Sequence, residues 1–166
     1  MTTETDERVA DFAVAVYRDE IEWRVEVLEP AAAVDLEELV ESLQRRAAAA
    51  GTALGMVAVS DDFFVLARVA DGDLRLLLSD VTAGTEWPIA RAVLDELEIP
   101  VPDDDDDEHV EPAGDLGIVS DLGLDTMELA ALCDDLDLYP DEMLGSIASR
   151  LGFGDQFQRA LADAMD

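Results

Sequence analysis

The sequence predicts an α+β fold: a five-stranded antiparallel sheet in the order β-β-α-β-β-β-α, followed by an acidic linker and a small all-helical C-terminal unit. Three observations predict it. Five stretches between Phe12 and Leu78 alternate apolar and polar, or run apolar, with the period of a strand. Two stretches, after Asp35 and after Trp87, carry an apolar stripe at helical spacing behind a start signal. The run from Asp103 to Asp107, flanked by Pro100, Pro102 and Pro112, then interrupts the chain, and everything beyond it has helical period. The expected organisation is a flexible N-terminus over 1–10, a sheet domain over 11–99, a linker over 100–114 and a helical unit over 115–166.

In chain order, Phe12, Val14 and Val16 alternate with Ala13, Ala15 and Tyr17, and Trp23, Val25 and Val27 alternate with Glu22, Arg24 and Glu26. The polar turn between them is too short for a crossover, so the two strands form an antiparallel hairpin. Asp35 is a good N-cap with Glu38 at capping-box spacing, and Leu36, Leu39, Val40, Leu43 and Ala47 share one helical face. Arg45 and Arg46 are expected near its C-terminal end, where cations complement the helix dipole, and Gly51 stops it. Leu54 to Val59 is apolar on both sides, which marks a buried strand. After Ser60-Asp61-Asp62, Phe63 to Val69 alternates; Asp71-Gly72 is a strong hairpin turn signal; Leu74, Leu76 and Leu78 complete a three-stranded meander. Residues Gly84 to Trp87 read as a loop, and Pro88 opens a last helix in which Ile89, Ala92, Val93 and Glu96 define one stripe and Leu94 and Leu97 widen it. This order is similar to that of roadblock-type, profilin-like domains, whose five strands lie in the spatial order 2-1-5-4-3; the likeness implies an interaction module.

Six successive carboxylates, Asp103 to Glu108, repel one another, so 100–114 reads as a solvated linker. It lacks the glycine and the ligand spacing of a calcium-binding loop. In the tail, Asp125 and Glu128 form a capping-box pair, and Leu124 and Leu129 stand at hydrophobic-staple positions. Leu129, Leu132, Cys133 and Leu136 form one stripe; Pro140 opens a second helix with Met143, Leu144, Ile147 and Leu151; Gly152 ends it; Asp155 is expected to cap a third with Phe157, Ala160, Leu161 and Ala164 inward. So small a unit has a marginal core of its own and needs to pack on the sheet, on a second copy or on a partner.

Of 166 residues, 41 are acidic and 10 basic, a formal net charge of −31. All the bases are arginine. Residues 1–100 hold 22 acids and 8 arginines, and 101–166 hold 19 acids and 2 arginines, so the tail is the more charged part. Such a chain repels phosphate backbones and anionic membrane surfaces and favours solubility and a basic protein partner. A single cysteine, Cys133, excludes an internal disulfide. The polar, acidic N-terminus has no signal-peptide pattern, and no apolar run reaches the length of a membrane span, so a cytoplasmic location is expected.

No catalytic constellation is legible. The one histidine, His109, lies in the acidic linker, and Cys133 lies in an apolar stripe, where a cysteine is a small core hydrophobe. One cysteine and one histidine do not make a zinc site, and no phosphate-cradling glycine loop is present. Trp23 and Trp87 read as core aromatics, with an interface role as the alternative. The expectation is no enzyme, no catalytic, cofactor-binding or metal-binding residues, and no cofactor.

Two blocks carry a resemblance. They are Met56-Val57-Ala58-Val59-Ser60-Asp61-Asp62-Phe63-Phe64-Val65-Leu66-Ala67-Arg68-Val69 with Leu76 to Asp80, and Gly114-Asp115-Leu116-Gly117-Ile118-Val119-Ser120-Asp121-Leu122-Gly123-Leu124 after the linker. With the helix-rich end, Leu144 to Gly152, the layout from Phe12 onward resembles the actinobacterial tRNA adenosine deaminase-associated proteins. The resemblance implies an association with the deaminase, not its reaction. Zinc deaminases carry His-x-Glu and Pro-Cys-x-x-Cys; His109-Val110-Glu111 matches the first by accident, and the second is absent. The expected function is therefore a non-catalytic acidic accessory protein whose basic partner is, by resemblance, the tRNA adenosine deaminase. The alternatives are a homodimeric scaffold whose acidity serves only solubility and, third, a carboxylate- or metal-dependent enzyme.

Overall fold

The structure, a computed structural model, describes residues 11–18, 22–60, 62–101, 111–135 and 138–165. The aspartate run and His109, and with them the core of the expected linker, lie outside the described residues, as do residues 1–10.

Among the described residues six strands form one antiparallel sheet: β1 (Asp11–Arg18), β2 (Trp23–Val27), β3 (Thr52–Val59), β4 (Phe63–Ala70), β5 (Asp73–Leu78) and β6 (Ala113–Gly114). Five of these are the expected strands. The sixth corrects the expectation of five: residues assigned to the linker pair with β5, Leu77 opposite Gly114 and Leu78 opposite Ala113. Two residues carry no periodicity, so only the partner strand's free edge could have announced them.

The spatial order is β2-β1-β3-β4-β5-β6. This corrects the roadblock-like order 2-1-5-4-3, which would put the third strand at an edge. Residues Ala53 to Val59 are buried on both sides. A strand apolar on both faces belongs at the centre of a covered sheet, and β3 lies there between β1 and β4. Helix α1 (Leu36–Ala50) crosses over β1 to reach it.

The β4–β5 hairpin follows its turn signal. Asp71 (φ 55°) and Gly72 (φ 82°) both take the positive φ that a two-residue turn of this twist requires. That turn fixes the register, with Arg68 directly opposite Arg75. On α1, Asp35 accepts from the Glu37 N–H at 3.0 Å, and Gly51 (φ 93°) ends the helix. The helix ends at Gly51 as expected, and Arg45 and Arg46 lie just ahead of its last turn, which four alanines form. Arg46 reaches sideways instead: its Nε donates to Glu26 Oε1 of β2 at 2.8 Å, while the Tyr17 hydroxyl donates to Glu26 Oε2 at 2.5 Å. The Tyr17 hydrogen bond, then Arg46, holds the Glu26 carboxyl below the usual range, and the same bond pushes Tyr17 up. Ahead of α2 (Pro88–Leu97) a short 3-10 helix, Val81–Thr85, capped by Asp80, takes in the first two residues of the expected loop.

The sheet separates two apolar layers. On one side Leu39 and Leu43 of α1 and Ile89, Val93 and Leu94 of α2 meet Val57, Phe63, Val65 and Leu78. On the other, the C-terminal helices α3 (Thr126–Cys133), α4 (Pro140–Leu151) and α5 (Gly154–Met165) cover Phe12, Val14, Met56, Phe64, Leu66 and Leu77. Strand alternation sends successive side chains to opposite layers, and both sets need a cover. The tail supplies the second. Helix α3 has the expected capping box: Asp125 Oδ1 accepts from Glu128 N at 2.9 Å, and Glu128 Oε1 accepts from Asp125 N at 3.3 Å. The cap expected at Asp155 is displaced, since α5 already begins at Gly154. A Cβ on Gly154 would sit 2.7 Å from Ser149 Oγ and 3.2 Å from Ser149 Cα, so only glycine lets α4 and α5 meet so closely.

Each layer holds one tryptophan. The Trp23 ring lies 5.2 Å from Phe153 in the C-terminal layer, and the Trp87 ring lies 6.0 Å from Phe63 in the other. Both rings are partly buried and pack against the edges of these clusters.

Candidate functional site

The C-terminal layer is positioned by two arginines. Strand β4 places Arg68 on the face that the tail covers, and only 6% of the residue stays exposed. Its Nη1 donates to Asp121 Oδ1 (2.6 Å) and to the Ile118 carbonyl (2.9 Å), its Nη2 to Asp121 Oδ2 (3.0 Å), and its Nε to Thr52 Oγ1 (3.2 Å). Opposite it on β5, Arg75 donates to Asp115 Oδ2 (2.6 Å) and to the Gly117 carbonyl (3.1 Å). Like charges paired directly across strands repel; the 115–121 segment supplies each with a carboxylate and a carbonyl. Arg68 holds the Asp121 carboxyl below the ordinary carboxylate range, chiefly through its hydrogen bonds. The two sequence blocks that carried the resemblance thus meet in space. Sequence reading left Arg68 as a polar residue in an alternating strand. The available signal was the hairpin register, which sets two arginines face to face and calls for counter-charges.

Beyond this clasp the helical layer presents its outer surface. Helices α3, α4 and α5 leave an open groove of about 700 Å³. Leu124, Leu132 and Leu161 give it an apolar floor, and Glu128, Asp141 and Glu142 give it an acidic rim. Arg150, the one cation among the described residues along the groove, is engaged by Glu128 Oε2. That contact, followed by the hydrogen bond from the Asp125 N–H, holds the Glu128 carboxyl below its usual range and so keeps it anionic. Met127 on α3 (81% exposed) and Tyr139 ahead of α4 (50% exposed) are large apolar-bodied side chains on the same layer.

Cys133 is free and buried, and burial, with Asp134 beside it, pushes its thiol up to about 12. It is expected to ignore a thiol reagent at pH 8 in the folded protein and to react at the unfolding rate in denaturant; labelling that outruns unfolding would contradict its burial. Among the described residues no three His, Cys, Asp or Glu side chains are grouped as metal ligands. No helix among them is long and apolar enough to cross a membrane.

Comparison with known proteins adds the family. Residues 11–154 match the family described as Rv3753c-like tRNA adenosine deaminase-associated protein. Protein Rv3753c of Mycobacterium tuberculosis (strain ATCC 25618 / H37Rv) is 42% identical over 151 residues, covering 90% of this chain and 87% of the relative. No solved structure matches. The matched span runs through the sheet, both arginines and their partners, and α3 and α4, and the chain belongs to the Rv3753c-like tRNA adenosine deaminase-associated protein family.

Proposed function

We propose that this protein is a non-catalytic accessory protein that engages a basic partner through its acidic C-terminal layer, and that the partner is the tRNA adenosine deaminase named in the family description. The observation that carries the reading is the pairing of that family membership with a net charge of −31, concentrated towards the tail. Complementary charge speeds encounter and selects partners, and a partner that handles tRNA needs a basic surface of its own. The homodimeric alternative rested on tail helices in need of a cover, and their apolar stripes lie on the sheet.

Affinity purification of the tagged chain from its native host, washed in salt steps, tests the reading. The deaminase is expected to be retained at about 0.05 M salt and released well before about 1 M, where screening shortens to roughly 3 Å. Its absence at the lowest salt step would contradict the assignment of partner.

A further inference from the structure

The groove on the helical layer contains a residue that packing does not require. Gly145 lies in the interior of α4, where glycine weakens a helix relative to alanine. Its φ is not in the left-handed region. A Cβ there would meet Gln158 Nε2 at 3.3 Å, the movable end of an exposed side chain, and Phe157 Cε2 at 3.9 Å. Gly154, by contrast, is held against the backbone of Ser149. What a bare position at 145 supplies is depth in the groove.

Three features then converge on one place. The floor is apolar, at Leu124, Leu132 and Leu161. The rim is acidic, at Glu128, Asp141 and Glu142. The lone arginine is already paired with Glu128. An apolar floor selects a partner side chain that leaves water, and an acidic rim with three carboxylates to one arginine selects further cations beside it. We propose that the α3–α4–α5 groove is a docking site for a short basic amphipathic segment of a partner protein, with one or two aliphatic side chains seated over Gly145 and lysine or arginine side chains against the rim. This rests on the reading of an acidic accessory protein and adds to it a place and a ligand chemistry. An arriving cation near Glu128 competes with Arg150, so docking loosens that ion pair.

The test uses the full chain, ¹⁵N-labelled, and a fluorescent 14-residue helical peptide built of leucine and lysine. Wild type is expected to bind, with amide shifts centred on Gly145, Ser146, Ser149 and Gln158. Gly145→Leu fills the groove, and Ser146→Arg sets a cation at its edge; each is expected to abolish the shifts while circular dichroism stays native. Should Gly145→Leu disturb the fold, Ser146→Arg on an exposed position still decides. Asp141→Asn with Glu142→Gln keeps the Glu142 contact to the Tyr139 N–H and is expected to weaken binding about fivefold at low salt, as two rim charges do. Glu37→Gln with Glu41→Gln on α1, the same change of charge away from the groove, is expected to leave it within about twofold. Equal weakening by both pairs would overturn the groove in favour of diffuse attraction and leave the accessory function standing. Concentration-dependent shifts at the same amides without peptide would overturn it in favour of a second copy, and no binding by wild type would overturn it outright. A seated peptide together with a native pull-down that lacks the deaminase would uphold the groove and remove the partner.

Discussion

A chain ended at residue 110 is expected to be insoluble or molten. The cut removes β6 and helices α3–α5 and uncovers one whole face of the sheet, from Phe12 and Val14 through Leu54 and Met56 to Phe64, Leu66 and Leu77, all now buried. Monomeric soluble proteins rarely expose contiguous apolar patches beyond a few hundred Å². The loss also strands Arg68 and Arg75 opposite each other with their carboxylates gone. Expression of residues 1–110, with the soluble fraction, dye binding and near-ultraviolet circular dichroism as readouts, checks this. A soluble monomer with a sharp unfolding transition would show that the sheet and its first helical layer suffice.

The second large effect is expected at the arginine clasp, and its size depends on which partner is removed. Asp121→Ala leaves a guanidinium in a site only 6% exposed without its carboxylate. Breaking a fully buried pair costs about 3–5 kcal/mol. The Asp121 side chain is 61% exposed, so water reaches that side of the site and the expected cost is about 2–3 kcal/mol. Arg68→Met removes the buried charge itself and replaces it with a side chain suited to an apolar layer. It orphans the Ile118 carbonyl and costs about 1–2 kcal/mol. The double variant is expected to resemble Arg68→Met, being more stable than Asp121→Ala alone. Urea denaturation of the four proteins gives the cycle; additive costs would mean that the pair does not couple.

The same pair sets a pH limb. The folded pKa of Asp121 is depressed by Arg68, so its contribution is fully present above the ordinary carboxylate pKa of about 4 and is lost as pH falls through the lower folded value. Stability is therefore expected to fall as pH drops below about 4; Arg68→Met should flatten this acid limb.

Much of this fold is legible because it is local. Five strands follow from alternation, the β4–β5 hairpin from Asp71-Gly72, and the start of α3 from Asp125 and Glu128. What escaped is what depends on distant chain. The position of β3 beside β1 is set by burial on both faces, a property visible in Leu54 to Val59 but overridden by the likeness to another strand order. β6 exists only because β5 has a free edge. Arg46 finds Glu26 only because α1 crosses back over the hairpin. Arg68 is buried only because residues 115–121 fold over it. The groove was likewise hidden: Gly145 inside a helix is unremarkable in sequence and gains meaning only beside Leu124, Leu132 and Leu161.

The central claim is that the C-terminal helices are the second half of one core. The two tryptophans report on opposite layers. Trp87→Phe leaves fluorescence from Trp23 against Phe153, and Trp23→Phe leaves it from Trp87 against Phe63. In each variant, urea unfolding followed by tryptophan fluorescence and by far-ultraviolet circular dichroism is expected to give one coincident transition, with the same slope in both variants. A Trp23 transition that precedes the loss of the sheet signal would mean that the helical layer comes away by itself, and would contradict the account.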